Sequence, residues 1–114
     1  MKILVTGANG QLGSELRFLS STQNQHEWIF TGLKELDLSD LQTLESNITK
    51  IAPCLIINCA AYTSVDKAES ENELANILNF KAVEKISKWT SYNHKKLVFF
   101  QELPQNFLLN LDNL

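Results

Sequence analysis

The chain is 114 residues long, 44% hydrophobic and 20% charged, with a net charge of −3. That is enough apolar material for one domain with a single modest core. A net negative charge fits phosphate neutralisation on nucleic acid poorly, and no apolar run reaches the ~20 residues of a spanning helix, so neither nucleic acid nor a membrane is an expected partner.

Residues 2–6 read as a buried parallel strand, apolar through Ile3, Leu4 and Val5 and closed by Thr6 and Gly7. Behind it stand Gly7, Gly10 and Gly13, spaced G-x-x-G-x-x-G. Leu12, Leu16 and Leu19 then recur at helical spacing over 11–20. Each glycine has a task at such a corner. Gly7 permits the sharp turn, Gly10 lets the backbone approach a phosphate, and Gly13 lets the helix pack closely on the sheet. The helix N-terminus offers N–H groups and a partial positive charge to an anion. A strand, a glycine corner and a helix in that order are suited to holding a dinucleotide pyrophosphate.

Asn24 and Gln25 mark a turn, and Glu27 to Thr31 read as a second strand, with 32–38 as a connection. Ser39 is the expected N-cap of a helix over 40–51, which places Leu41, Leu44, Ile48 and Ile51 on one face. Pro53 ends it. Residues 54–58 (CLIIN) read as the third strand, and 59–65 as a loop. A charged helical stretch follows over 66–90, in a short first and a long second segment. Asn93 and His94 make a turn, and 95–100 (KKLVFF) are the fourth strand.

The order β-α-β-α-β-α-β predicts an α/β fold, a Rossmann-like doubly wound parallel sheet. Right-handed crossovers place the first strand centrally, with a nucleotide over its carboxyl end. Cys54 and Cys59 read as small buried apolar residues rather than a metal or redox pair. Asp66, Lys67, Glu69, Glu71 and Glu73 read as first-turn acids and a solvated face, so no metal site is expected. The N-terminal apolar stretch is too short for a signal peptide, which predicts a cytoplasmic location.

Two segments, MKILVTGANGQLGSEL at 1–16 and NCAAYTSVDKAESENELA at 58–75, closely resemble the N-terminal half of dTDP-4-dehydrorhamnose reductases. These are extended short-chain dehydrogenases that act on nucleotide sugars. The likeness runs from Met1 to about Val98. The glycine motif is common to the superfamily, whereas AAYTSVDKAE is far more specific. The resemblance implies reduction of the 4-keto group of dTDP-4-dehydro-L-rhamnose by hydride from NADPH or NADH. It also implies a nucleotide-sugar substrate for the full-length family. By the same resemblance, Gly10, Gln11 and Leu12 wrap the pyrophosphate within the turn that Gly7 and Gly13 frame. Asp37 and Leu38 flank the adenine, and Ala60, Ala61 and Tyr62 lie along the cofactor. Many members carry an acid at the end of the second strand to bind the ribose hydroxyls. Here that place is Gly32, with Lys34 close behind, which inclines the cofactor toward NADPH.

The resemblance stops after the fourth strand. In the family that strand ends in a Ser/Thr-Thr-Asp-Tyr-Val-Phe string. A later Tyr-x-x-x-Lys pair protonates the alkoxide as hydride arrives. Here KKLVFF runs into QELPQNFLLNLDNL. The tyrosines are Tyr62 and Tyr92; Tyr92 and Lys96 have the spacing but fall on a turn leading into a strand, where they share no helix face. No catalytic residue is therefore expected in this chain. The expected organisation is a cofactor-binding half over 1–98 and a divergent tail over 99–114, read out of frame, with no substrate domain. Such a fragment would be inactive while keeping the cofactor site, and its uncovered edge would favour self-association or a homodimer. The contrasting class is a non-catalytic dinucleotide-binding or regulatory module.

Overall fold

Four apolar runs become the four strands of one parallel sheet in the computed structural model, which describes residues 1–60 and 72–99. They are β1 (Lys2–Thr6), β2 (Glu27–Thr31), β3 (Leu55–Asn58) and β4 (Lys96–Phe99), in the spatial order β2-β1-β3-β4. The register sets Val5 beside Phe30 and Ile57, and Ile57 beside Val98. Ile3, Leu4 and Val5 are all fully buried, which is why β1 reads as a continuous apolar run without polar alternation.

Two apolar layers sandwich the sheet. Ile3, Val5, Leu55 and Ile57 face α1 (Gln11–Ser20) through Leu16. Leu4 and Ile56 face α2 (Leu44–Ile51) and α4 (Ala82–Tyr92) through Leu44, Ile48, Ile86 and Trp89. Each such side chain stabilises the fold by roughly 1.5–3 kcal/mol relative to exposure. On the second layer, Trp89 Nε1 donates to Thr49 Oγ1 at 2.9 Å and ties α4 to α2. Helices cover both faces, so the doubly wound parallel fold read from the sequence is the one observed.

Several local expectations need correction. The second helix begins at Leu44, not at residue 40. Ser39 donates both its N–H and its hydroxyl to Asp37 Oδ1, and no helix starts at it. The chain instead makes turns closed by Asp40 N–H to Asp37 O and Thr43 N–H to Asp40 O. The helix ends on Ala52, a non-glycine residue with φ of 55°, just before Pro53. On α1, only Leu16 of the expected leucine stripe is fully buried; Leu19 is 40% exposed.

The helical stretch before β4 is a short α3 (Asn72–Asn76), a π-helical turn (Ile77–Lys81) and α4, which runs on to Tyr92. Ala82 N–H donates to the Ile77 carbonyl, the i to i−5 spacing of a π turn. The start of that stretch at 66–71 and the tail from residue 100 lie outside the described residues.

Candidate functional site

Strand order creates the site. The chain leaves β1 toward β2 on one side and returns past it to β3 on the other. The helices on the two sides lie on opposite faces, which opens a crevice outside the carboxyl ends of β1 and β3. The glycine corner sits there, and its glycines divide by function. Gly7 has φ of 65°, and a Cβ on it would lie 2.5 Å from Ala60 Cα. A Cβ on Gly13 would lie 2.5 Å from Ala8 Cα. The fold itself demands both. Among the described residues, a Cβ on Gly10 would meet only Gly7 O at 3.5 Å, an ordinary contact. Those residues leave that space open, as a ligand approaching the backbone requires.

The first rung of α1 is Ser14 N–H to Gly10 O at 2.9 Å. The N–H groups of Gln11, Leu12 and Gly13 precede it and belong to the unpaired start of the helix. The first turn holds no acidic side chain, so the positive end of the helix dipole is not offset locally. Gln11 is exposed and Leu12 half-buried.

Beneath the corner runs a buried polar row that sequence reading missed. Thr6, Thr31 and Asn58 are the last residues of β1, β2 and β3, in register, and are 1%, 4% and 2% exposed. Thr6 Oγ1 donates to Asn58 Oδ1 at 2.6 Å, and Ala60 N–H donates to the same oxygen at 3.1 Å. Thr31 Oγ1 donates to Val5 O at 2.9 Å. These bonds hold the backbone just beyond β3 and set Ala60 against Gly7. The signal was present: a polar residue closes each of the runs KILVT, EWIFT and LIIN.

The other expected site residues fall differently. Asp37 is exposed, and the Ser39 hydroxyl and then the Ser39 N–H hold its carboxyl below the ordinary 3.8. Both bonds land on Oδ1, and the Asp40 N–H adds a smaller lowering. Leu38 is 2% exposed and packs in the core with Leu36, Leu44 and Ile48. Ala60 is half-buried; Ala61 and Tyr62 lie outside the described residues, as do Asp66, Lys67, Glu69 and Glu71. Tyr92 ends α4 and Lys96 opens β4, so the pair shares no helix face. Cys54 is exposed rather than buried, because it precedes β3; its N–H donates to Lys2 O and its carbonyl accepts from Lys96 N–H. Burial pushes the Cys59 thiol up to about 11. Among the described residues, no group of three His, Cys, Asp or Glu could hold a metal, and no helix is long and apolar enough to cross a membrane.

The protein-family model described as RmlD substrate binding domain matches residues 1–101. The dTDP-4-dehydrorhamnose reductase of Salmonella typhimurium is 43% identical over 94 residues, covering 77% of this chain and 30% of the relative. The chain thus spans about 30% of the length of the curated relatives it matches. Among solved structures, a dTDP-4-dehydrorhamnose reductase from Clostridium acetobutylicum superposes with a TM-score of 0.78 at 34% identity, covering 85% of this chain and 34% of that one. The Bacillus anthracis reductase, solved in complex with NADP, gives 0.75 at 32% identity, covering 84% and 34%.

Proposed function

The chain belongs to the dTDP-4-dehydrorhamnose reductase family, and we propose that it is the cofactor-binding half of such a reductase. In this reading the cofactor is NADPH or NADH. When bound, it supplies the hydride that reduces the 4-keto group of dTDP-4-dehydro-L-rhamnose to give dTDP-L-rhamnose. The chain's own residues bind and orient. Gln11, Leu12 and Gly13 present backbone N–H groups to the pyrophosphate at the start of α1, and Gly7 and Gly10, joined by Gly10 N–H to Gly7 O, shape the turn that lets it approach. Asp37 offers its exposed carboxylate to the adenine amino group, and Leu38 backs that turn from the core. Ala60, Ala61 and Tyr62 line the path of the cofactor beyond β3.

The observation that carries this reading is Gly10. Its backbone is open at a corner where the two neighbouring glycines are fixed by packing. Tyr92 and Lys96 lie on different elements, so among the described residues they form no tyrosine–lysine pair to protonate the alkoxide. We therefore assign residues 1–98 to cofactor binding and expect the chain alone to bind without turnover. The test is a fluorescence titration of the purified chain with NADPH and NADH, followed by an NADPH-oxidation assay with the keto sugar. Saturable binding without oxidation is expected. Absence of binding by either cofactor defeats the assignment, and sustained oxidation defeats the claim of inactivity.

A further inference from the structure

We propose that the tail, residues 100–114, folds back over β3 and β4 and covers the part of the sheet face that α1 leaves bare. The proposal stands apart from the cofactor reading above. Neighbouring strands lie about 4.8 Å apart and a helix is about 10 Å wide, so one helix shelters about two of the four strands. Among the described residues, α1 supplies the only helical side chain of its layer, Leu16. It leans toward β2, where the Arg17 guanidinium lies 4.7 Å from the centre of the Phe30 ring. Burial runs the other way. Trp28 and Phe30 on β2 are half-buried beside α1, whereas Leu55 and Ile57 on β3 are fully buried. Both are buried in the isolated chain, so a second segment of the same chain lies over β3.

Two segments outside the described residues compete for that task, 61–71 and 100–114. The first carries two large apolar residues, Tyr62 and Val65. It leads into α3 and on to the opposite layer, where Leu78, Ala82 and Ile86 pack. The second carries six: Leu103, Phe107, Leu108, Leu109, Leu111 and Leu114, against two charged residues, Glu102 and Asp112. It leaves β4 at Phe99, on the strand next to β3. Phe107, Leu108, Leu111 and Leu114 recur at helical spacing behind Pro104, a residue suited to a first turn. A helix over 104–114 is about 16 Å long and the four residues of β3 run about 13 Å, so a helix returning from the carboxyl end reaches Leu55 at the amino end. With that face closed the chain stays monomeric instead of pairing through it.

The test is a methyl NOE spectrum of the full chain with its Ile, Leu and Val methyl groups labelled with 13C. Contacts from Leu55, Ile57 and Val98 to Phe107, Leu108 or Leu111 are expected, and they should persist on dilution. Contacts to Tyr62 and Val65 without any to the tail overturn the proposal. A mixture of labelled and unlabelled chains identifies the remaining occupant: contacts that cross between chains mean that a second copy covers the face, which also overturns it. In the double variant Leu108→Ser, Leu111→Ser, the methyl signals of Leu55 and Ile57 should move while those of Leu4 and Ile56, on the opposite face, stay in place. Unmoved Leu55 and Ile57 signals in the folded variant count against the tail, and if the variant does not fold, the wild-type contacts decide alone.

Discussion

Replacing Gly13 by alanine should destabilise the protein, against the usual helix rule. In an exposed helix interior, alanine is favoured over glycine by up to about 1 kcal/mol. Here the new methyl would lie 2.5, 2.6 and 2.7 Å from Ala8 Cα, O and C. All of these are main-chain atoms, so no rotamer change relieves them. Carbon atoms rest at about 3.5–4.0 Å, so α1 and the corner must part by about 1 Å. Overpacking of that kind costs roughly 1–3 kcal/mol, and with three main-chain clashes the upper half of that range applies, so after the propensity gain a net loss of about 1–2 kcal/mol is left. For a domain of this size each kcal/mol lowers Tm by about 4–8 °C. Gly10→Ala is the matched control. Among the described residues its methyl meets only Gly7 O at 3.5 Å, so the loss should stay below about 1 kcal/mol, the cost of a poorer N-cap. Urea unfolding followed by the fluorescence of Trp28 and Trp89 reads both layers of the core. Dinucleotide titration of the same samples should give the reverse order, with Gly10→Ala the weaker binder. A Gly13→Ala protein as stable as the wild type refutes the close-packing argument. A Gly10→Ala protein that binds dinucleotide as well as the wild type refutes the assignment of that glycine to a ligand.

Thr6→Val keeps the shape of a buried side chain but removes the donor to Asn58 Oδ1, and should cost about 1–2 kcal/mol in the same urea assay. A loss under about 0.3 kcal/mol would show that the polar row does not hold the site. Iodoacetamide at pH 8 should label exposed Cys54 well before Cys59, whose thiol is held near 11, as peptide mass spectrometry would show. The Cys59 thiol ionises in the unfolded chain near its ordinary 9.0 but only near 11 in the fold. Its contribution is therefore intact below 9.0 and lost as pH rises toward 11, so a wild-type stability that declines more steeply there than that of Cys59→Ala is expected. Ser39→Ala should raise the Asp37 carboxyl toward 3.8 in an NMR titration. Because the folded value is depressed, the bonds from Ser39 contribute at neutral pH and vanish as pH falls through it, so wild type and variant should converge in acid.

The strands were legible because a parallel sheet buried on both faces needs uninterrupted apolar residues. Ile3 to Val5 and Leu55 to Ile57 have no other reading. The start of α2 was not legible. Ser39 suits a helix cap in isolation, but Asp37 two residues before it accepts its N–H and hydroxyl and builds a local Asx turn, and the chain goes on into turns rather than a helix. The π turn at Ile77–Lys81 has no side-chain signature, since the pattern on either side of it is ordinary helix. At the site, the glycine spacing gave the corner and the task of each glycine within it. The atoms that enforce those tasks, the backbones of Ala8 and Ala60, were not legible, because they meet the corner only in space.

The central claim is that this chain holds a dinucleotide over the carboxyl ends of β1 and β3, and a backbone 1H–15N NMR titration with NADPH tests it most directly. The account predicts saturable shifts at Gly7 to Ser14, at Gly32 and Asp37, and at Asn58 to Ala60, with the amides of Lys50, Ser91 and Asn93 unmoved. Shifts centred on α2 and α4, or no shifts at all, would contradict it.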